Sequence, residues 1–289
     1  MVNINIGIDI GGNHVGMGIV KENGEILKSD AYIYENKDAN AEYIFSYINH
    51  FIDVSKEYNP QYIGIGIPGI VSGTRINYTC NLPIGNFDMK DYIESNLPIY
   101  LSNDANCAAI AEYELKIDKK YLNYALIAIG TGIGAGIIID GKLYPGSSGV
   151  SGEIGHMVIE KDGLPCKCGR KGCFEQYASC TALKRMTGLD SLNEIFYLAE
   201  TNETVKKVFN EYLDNLSEGI ANFVNTFDIE MISIGGGISR YIEKYIPIIQ
   251  DKITSKICNK FTYNININIA TLQNDAGIIG ASFLNKYIK

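Results

Sequence analysis

The chain has 289 residues, of which 46% are hydrophobic and 20% are charged, and its formal net charge is −8. This length and composition predict a globular protein of two domains whose apolar core needs no disulfides. The acidic balance and the lack of a Lys/Arg-rich run argue against a nucleic-acid partner.

The N-terminus and the apolar stretches argue against export and against a membrane partner. Residues 1–5 contain no basic residue, which is atypical of a signal peptide. Residues 125–139 are apolar but too short to span a bilayer. The seven cysteines are an odd number and favour reduced thiols, so we expect a cytoplasmic protein.

Predicted strands and helices are mixed along the chain, which indicates an α/β fold. Apolar runs bounded by glycine turns indicate strands, and apolar residues at helical spacing indicate helices. The predicted strands are 4–10, 14–20, 25–33, 61–67, 98–102, 121–129, 133–139, 229–234 and 265–271, and the predicted helices are 40–57, 104–116, 203–227, 239–254 and 275–286.

The first strand–turn–strand unit recurs in the second half of the chain. Placing Gly12 on Gly130 also brings Gly16 onto Gly134 and continues through the following apolar residues. Any two β-hairpins share some features, but the common Gly-x-Gly spacing favours an internal duplication.

Three predicted strands end in glycine turns, at residues 9–13, 130–132 and 235–237. Glycine lets backbone N–H groups approach an anion closely, so the three turns together predict phosphate binding. None has the Gly-Lys-[Ser/Thr] ending of a Walker A loop. Asp9 ends an apolar strand, where a carboxylate either serves a Mg²⁺ ion or caps its own turn.

A cluster of Cys and His residues occupies residues 156–173. Its candidate ligands are His156, Cys166, Cys168 and Cys173, and these residue types are the usual tetrahedral donors of Zn²⁺. Unrelated buried thiols or a disulfide are the alternatives. Four protein ligands leave no open coordination position, so the predicted zinc is structural.

Asp104 follows a short predicted strand and begins a predicted helix. One interpretation is an ordinary N-cap, which contributes roughly 1 kcal/mol. The other is a general base, because transfer of a phosphoryl group to an alcohol uses a carboxylate that accepts the hydroxyl proton. The spacing alone does not separate the two.

These duplicated units and glycine turns resemble the actin, Hsp70 and sugar-kinase superfamily. The 152–175 segment resembles the signature of the ROK family, and the similarity to that family covers nearly the whole chain. The resemblance implies a two-domain, actin-like ATPase (ribonuclease H-like) α/β fold with ATP in a cleft between domains. It assigns Gly11, Gly12 and Asn13 to a first phosphate loop, Thr131 and Gly132 to a second, and Gly235, Gly236 and Gly237 to an adenosine loop.

The same resemblance implies the substrate-binding residues. Asp104 would be the catalytic base, and Asn103, Glu153, His156 and Glu175 would hold the sugar beside it. His156 would then bind zinc through one ring nitrogen and the sugar through the other. The expected activity is that of an ATP-dependent hexose kinase, first of all a glucokinase that uses ATP, Mg²⁺ and structural Zn²⁺.

The sequence leaves two kinds of alternative open, kinases of other sugars and a protein that is not a kinase. Kinases of N-acetylmannosamine, allose or another hexose would share the same residues. A sugar-sensing protein without turnover is the alternative from a different class, although Asp104 and the three glycine loops argue against it. ROK repressors carry an N-terminal helix-turn-helix, whereas the first strand is predicted to begin at residue 4.

The chain departs from the family pattern in its first phosphate loop, where Asn13 and His14 replace the usual Thr-Lys. Asn13 keeps a donor and an acceptor, and His14 is predicted to face solvent. We expect a small domain of residues 1–115 with a C-terminal helix 275–289, and a large domain of residues 116–274 with the zinc loop. The resemblance also implies a homodimer.

Overall fold

The computed structural model describes residues 3–34, 41–79, 82, 86–258 and 265–288. The chain divides into two compact units: unit 1 is Met1–Lys119, Gly136–Ser151 and Leu272–Lys289, and unit 2 is Lys120–Ala135 and Gly152–Thr271. Residues 136–151, which the sequence-based boundaries place in the large domain, group with unit 1. The predicted domain boundaries themselves stay a prediction.

Strands and helices alternate along the chain. The strands are β1 (Ile4–Ile10), β2 (His14–Lys21), β3 (Ile26–Ile33), β4 (Ile63–Ile67), β5 (Gly69–Ser72), β6 (Arg75–Thr79), β7 (Phe87–Asp88), β8 (Ile99–Asn103), β9 (Tyr124–Ile129), β10 (Ile133–Ile139), β11 (Lys142–Leu143), β12 (Met231–Gly235) and β13 (Asn266–Ile269). The helices are α1 (Ala41–Val54), α2 (Asp104–Leu115), α3 (Glu175–Ala178), α4 (Cys180–Thr187), α5 (Leu192–Thr201), α6 (Glu203–Phe227), α7 (Ser239–Ile242), α8 (Ile246–Lys256) and α9 (Asp275–Ala281).

Two five-stranded sheets share one strand order. The first is β3-β2-β1-β4-β8 and the second is β11-β10-β9-β12-β13. In the first, β1 is parallel to β4 and β4 to β8; in the second, β9 is parallel to β12 and β12 to β13. The matching topology agrees with the duplication indicated by the glycine spacing.

Several elements differ from their sequence predictions. The helix predicted over 40–57 ends at Val54 and continues as a 3₁₀ turn. The helix predicted over 239–254 is interrupted, and α8 begins at Ile246 with a proline in its first turn. The C-terminal helix predicted over 275–289 ends at Ala281. A small third sheet, β5-β6-β7, was not predicted. None of the helices in the described ranges is long and apolar enough to cross a membrane.

Helix α9 packs directly on the backbone of the first sheet. A Cβ atom on Gly7 of β1 would lie 1.9 Å from the carbonyl oxygen of Ile278, and one on Gly64 of β4 would lie 1.8 Å from that of Ala281. These two glycines therefore permit an approach between helix and sheet that any side chain would prevent.

Gly64→Ala is expected to lower the free energy of unfolding by about 3 kcal/mol, because the added methyl group overlaps helix backbone that must shift. Thermal unfolding measures the loss, at roughly 2–4 °C for each kcal/mol. Gly134→Ala is the matched control, since a Cβ atom there meets nothing within 4 Å. Equal melting temperatures for both variants would contradict the packing argument.

Candidate active site

The turn between β1 and β2 forms the predicted first phosphate loop. The Gly11 N–H donates to the carbonyl oxygen of His14 at 2.8 Å and closes the turn. Tyr34 holds the turn from one side: its hydroxyl donates to Gly11 O at 2.5 Å, and its N–H donates to Asn13 O at 2.9 Å. These three hydrogen bonds hold the backbone of the loop.

Asp9 lies at the end of β1 with its side chain 18% exposed. Burial, and secondarily the charge of Asp104, raise its pKa to about 7. A Cβ atom on Gly277 of α9 would lie 2.4 Å from the carboxyl carbon, so the helix backbone covers one side of Asp9. Within the described residues, no hydrogen bond joins this carboxylate to its own turn, and the arrangement favours a cation over a cap.

Asp9→Asn is expected to stabilise the ligand-free protein at neutral and alkaline pH. Because the folded pKa of about 7 lies above the ordinary value of 3.8, the neutral carboxyl contributes stability that is complete below pH 3.8 and lost as the pH rises through 7. The loss amounts to about 4 kcal/mol. Thermal unfolding of both proteins should therefore show a gain that grows with pH and then levels off. A difference in melting temperature that does not change with pH would contradict the raised pKa of Asp9.

Asn103 and Asp104 stand where β8 ends and α2 begins. The N-cap of α2 is Asn103, whose Oδ1 accepts from the Ala105 N–H at 2.9 Å, while its Nδ2 donates to Gly69 O at 3.3 Å. The N-cap interpretation of Asp104 is therefore wrong, since Asp104 is the first helical residue. Its Oδ1 also accepts from the Ala105 N–H at 2.9 Å. Burial raises the pKa of Asp104, which suits a proton acceptor.

The two glycine loops of unit 2 meet at one sheet edge. Strands β9 and β12 are parallel, so their carboxyl ends lie together. Gly236 has a φ of +80°, and a Cβ atom there would lie 2.5 Å from the carbonyl oxygen of Ile129. A Cβ atom on Gly130 or Gly134 would meet nothing within 4 Å. Because packing does not require glycine at these two positions, the open space is available to a ligand.

The predicted zinc ligands converge. The ligand atoms of His156, Cys166, Cys168 and Cys173 all lie within 4.8 Å of one another. Sγ of Cys168 and Sγ of Cys173 are 3.6 Å apart, and Sγ of Cys166 is 3.7 Å from Nδ1 of His156. Zn–S bonds of about 2.3 Å at tetrahedral angles place two sulfurs about 3.8 Å apart, so the donor set fits Zn²⁺.

The charges of the cluster also favour a cation. Burial, together with the neighbouring thiols, raises the pKa of Cys173 to about 12. Three thiolates this close repel one another unless a metal ion binds them. The loop is held by backbone contacts: a Cβ atom on Gly172 would lie 1.7 Å from the carbonyl oxygen of Glu160, and Arg170 Nη1 donates to His156 O at 3.2 Å.

Two carboxylates flank His156. Oε1 of Glu175 is 3.8 Å from Nδ1, the ring nitrogen that faces the cysteines, and Oε2 of Glu153 is 3.9 Å from Nε2. Glu175 begins α3, and a Cβ atom on Gly132 would lie 2.7 Å from its Oε2. The predicted metal ligands, the predicted sugar ligands Glu153 and Glu175, and the second phosphate loop are therefore neighbours within unit 2.

The predicted site residues fall into two groups, one in each unit. Unit 1 holds Asp9, Gly11, Gly12, Asn13, Asn103 and Asp104; unit 2 holds Thr131, Gly132, Glu153, His156, Cys166, Cys168, Cys173, Glu175, Gly235, Gly236 and Gly237. Sequence reasoning missed two supporting residues: Tyr34 under the first loop and Gly277 against Asp9. No sequence pattern marks them, because each acts through a tertiary contact.

Two α/β units, whose sheets share one strand order and end in glycine turns, define the class of actin-like ATPases and sugar kinases. The model of the ROK family matches residues 5–287, and the chain belongs to that family.

Similar proteins include both kinases and repressors. A glucokinase from Thermotoga maritima is 29% identical, with 97% of this chain and 96% of the relative covered. An N-acetylmannosamine kinase from Vibrio cholerae is 31% identical, with 96% and 98% covered. A xylose repressor from Bacillus subtilis is 29% identical, with 96% of this chain but 75% of the repressor covered.

A crystal structure of a ROK family glucokinase from Streptomyces griseus, in complex with glucose and AMPPNP, is also similar. It is 30% identical, with a TM-score of 0.78 and with 98% of this chain and 99% of that chain covered. The likeness confirms the actin-like α/β fold expected from the sequence.

Proposed function

We propose that the protein is an ATP-dependent hexose kinase that converts glucose to glucose 6-phosphate. The observation that carries the proposal is Asp104, a partly buried carboxylate with a raised pKa at the start of α2. A carboxylate whose affinity for a proton is raised is a better acceptor of the sugar hydroxyl proton than an exposed one. The solved glucokinase with glucose and AMPPNP supports the substrate pair.

In the proposed reaction the 6-hydroxyl oxygen of the sugar attacks the γ-phosphorus of ATP while Asp104 accepts the hydroxyl proton. The bond between that phosphorus and the bridging oxygen breaks, and ADP leaves. Since phosphoryl transfer depends on positioning and charge stabilisation, backbone N–H groups are the main contribution of the loops. Residues 11–13 and 131–132 would hold the phosphates, and residues 235–237 the adenosine.

The sugar would be held by Asn103, Glu153, His156 and Glu175. Asn103 uses Oδ1 and one N–H within unit 1, which leaves its second N–H for a hydroxyl group. Nε2 of His156 points away from the cysteines and toward Glu153. Zn²⁺, when bound by Nδ1 and the three thiolates, would fix the tautomer and orientation of this ring. Mg²⁺ on the nucleotide would be served by Asp9.

Two other functions share much of this evidence. N-acetylmannosamine kinase is the enzyme alternative, favoured by the 31% identity to the V. cholerae enzyme. A sugar-responsive protein without turnover is the alternative from another class, favoured by the similarity to xylose repressors. The presence of Asp104 together with the three glycine loops argues for turnover, since sugar binding alone needs neither a base nor a nucleotide site.

A coupled ADP-release assay with Mg·ATP tests the proposal against glucose, mannose, N-acetylmannosamine, N-acetylglucosamine, allose and fructose. Glucose should give the highest kcat/KM. Preference for N-acetylmannosamine would replace the substrate but keep the reaction class. No ADP release from folded, zinc-loaded protein that still binds a sugar would favour the sensing role. The homodimer and the cytoplasmic location expected from the sequence also stay proposals, and light scattering tests the first.

A further inference from the structure

His14, one of the two residues that depart from the family pattern, does not simply face solvent as the sequence predicts. Its side chain is 45% exposed, but the ring folds over the first phosphate loop. A Cβ atom on Gly11 would lie 2.5 Å from Cε1 and 2.7 Å from Nδ1 of the imidazole. The ring therefore covers the α-carbon of Gly11, and a side chain at this position would displace it.

Strand register explains why the ring reaches Asp9. Asp9 of β1 pairs with Gly16 of β2, and His14 lies two residues before Gly16 on the same face. Because Gly11, two residues after Asp9, has no side chain, the imidazole can lie across it toward Asp9. Nε2 of His14 is 3.9 Å from Oδ2 of Asp9, and Nδ1 is 3.2 Å from Oδ1 of Asn13.

The imidazole thus stands beside two groups that the proposed kinase uses. One edge faces Asp9, the carboxylate proposed to serve the nucleotide metal ion, and the other contacts Asn13, whose amide belongs to the phosphate loop. At 3.9 Å the Asp9 contact is one that a small shift or one bridging water completes. In the tautomer with its proton on Nε2, the imidazole donates to the carboxylate once this contact is completed, and Nδ1 accepts from the Asn13 amide turned to present its Nδ2. The bond to the charged group is the stronger of the two and can fix the orientation of the carboxylate.

We propose that His14 is a nucleotide-positioning residue, which holds Asp9 and Asn13 in the orientation that binds the metal–nucleotide complex. This inference rests on the proposed function. In this chain an imidazole would order the first phosphate loop. The inference predicts an effect on metal–nucleotide affinity and no effect on sugar affinity.

Calorimetric titration with Mg·ADP tests the proposal on the full-length, zinc-loaded protein. His14→Ala should weaken Mg·ADP about tenfold, because the proposed hydrogen bond from Nε2 to the charged Asp9 carboxylate can no longer form. It should also raise the Mg²⁺ concentration that half-saturates binding at fixed ADP. Glucose affinity should stay at the wild-type value. His50→Ala is the control, since His50 is an exposed histidine of α1.

Two further variants separate hydrogen bonding from packing. His14→Phe keeps a ring over Gly11 but has no donor, so it should bind Mg·ADP as weakly as His14→Ala. His14→Gln places an amide near the position of Nε2 and should restore most of the affinity.

The outcomes distinguish this inference from the proposed function. If wild type binds Mg·ADP and the Ala and Phe variants bind it equally well, His14 has no positioning role and the inference is overturned while the kinase proposal stands. Full affinity in the Phe variant alone would also overturn it, because packing would then be sufficient. If the wild-type protein bound no nucleotide, the proposed function would fail, and the inference with it.

Discussion

Asp104→Asn is expected to lower kcat for glucose phosphorylation by roughly 10²- to 10⁴-fold, the usual contribution of a general base. The amide cannot accept the hydroxyl proton. Its Oδ1 can still accept from the Ala105 N–H, the contact that Asp104 makes at 2.9 Å. Because Asn103 is the cap of α2, the helix start should survive the substitution, and the loss should reflect chemistry.

Two measurements check this interpretation. ADP release gives kcat, and calorimetric titration gives the glucose affinity, which should stay close to wild type. Asp88→Asn is a matched control, because Asp88 also accepts a backbone N–H at the start of a short helix, from Lys90 at 3.0 Å. Near-normal turnover of Asp104→Asn would exclude Asp104 as the base, whatever its effect on binding.

The parts of the site that could be predicted from sequence are those formed by residues close together in the chain. The zinc ligands lie within residues 156–173, so the residue types and their spacing define the cluster without knowledge of the fold. Asp9 was predicted similarly, because an aspartate at the end of an otherwise apolar strand is costly unless it serves a cation. Each of these two predictions needs only the local sequence and the chemistry of the side chains.

The remainder depends on contacts between distant residues. Tyr34 bonds to Gly11 across 23 positions of sequence, and Gly7 and Gly64 contact a helix at the other end of the chain. Nothing near those residues indicates which partner they meet. The orientation of His14 was missed for the same reason, since it depends on strand register and on the absence of a side chain at Gly11.

The start of α2 shows how an uncertainty of one residue limits what can be predicted from sequence. Asn103 and Asp104 are both good N-cap residues, and helix boundaries read from sequence are uncertain by a residue or two. A shift of one position decides which of them caps the helix and which is left for chemistry. The structure assigns the cap to Asn103, and this assignment strengthens the case for Asp104.

Loss of the metal is the second large effect that we expect, and it links stability to sugar binding. Cys168→Ser should reduce the zinc content below one ion per chain, because a hydroxyl is a poor substitute for a thiolate ligand. The folded loop and the metal stabilise each other, so the melting temperature should fall with the zinc content. Cys258→Ser is the control, since Cys258 is an exposed thiol outside the cluster.

Glucose affinity should fall together with the zinc content, for two reasons. His156 loses the partner that fixes its ring. Glu175 also depends on the cluster, because its Oε1 lies 3.2 Å from Sγ of Cys166, so rearrangement of the cysteines after loss of the metal would disturb this proposed sugar ligand. Elemental analysis and glucose titration of wild type, before and after chelation and after zinc is restored, measure both effects. A zinc-free preparation with normal glucose affinity would show that the metal does not position the sugar ligands.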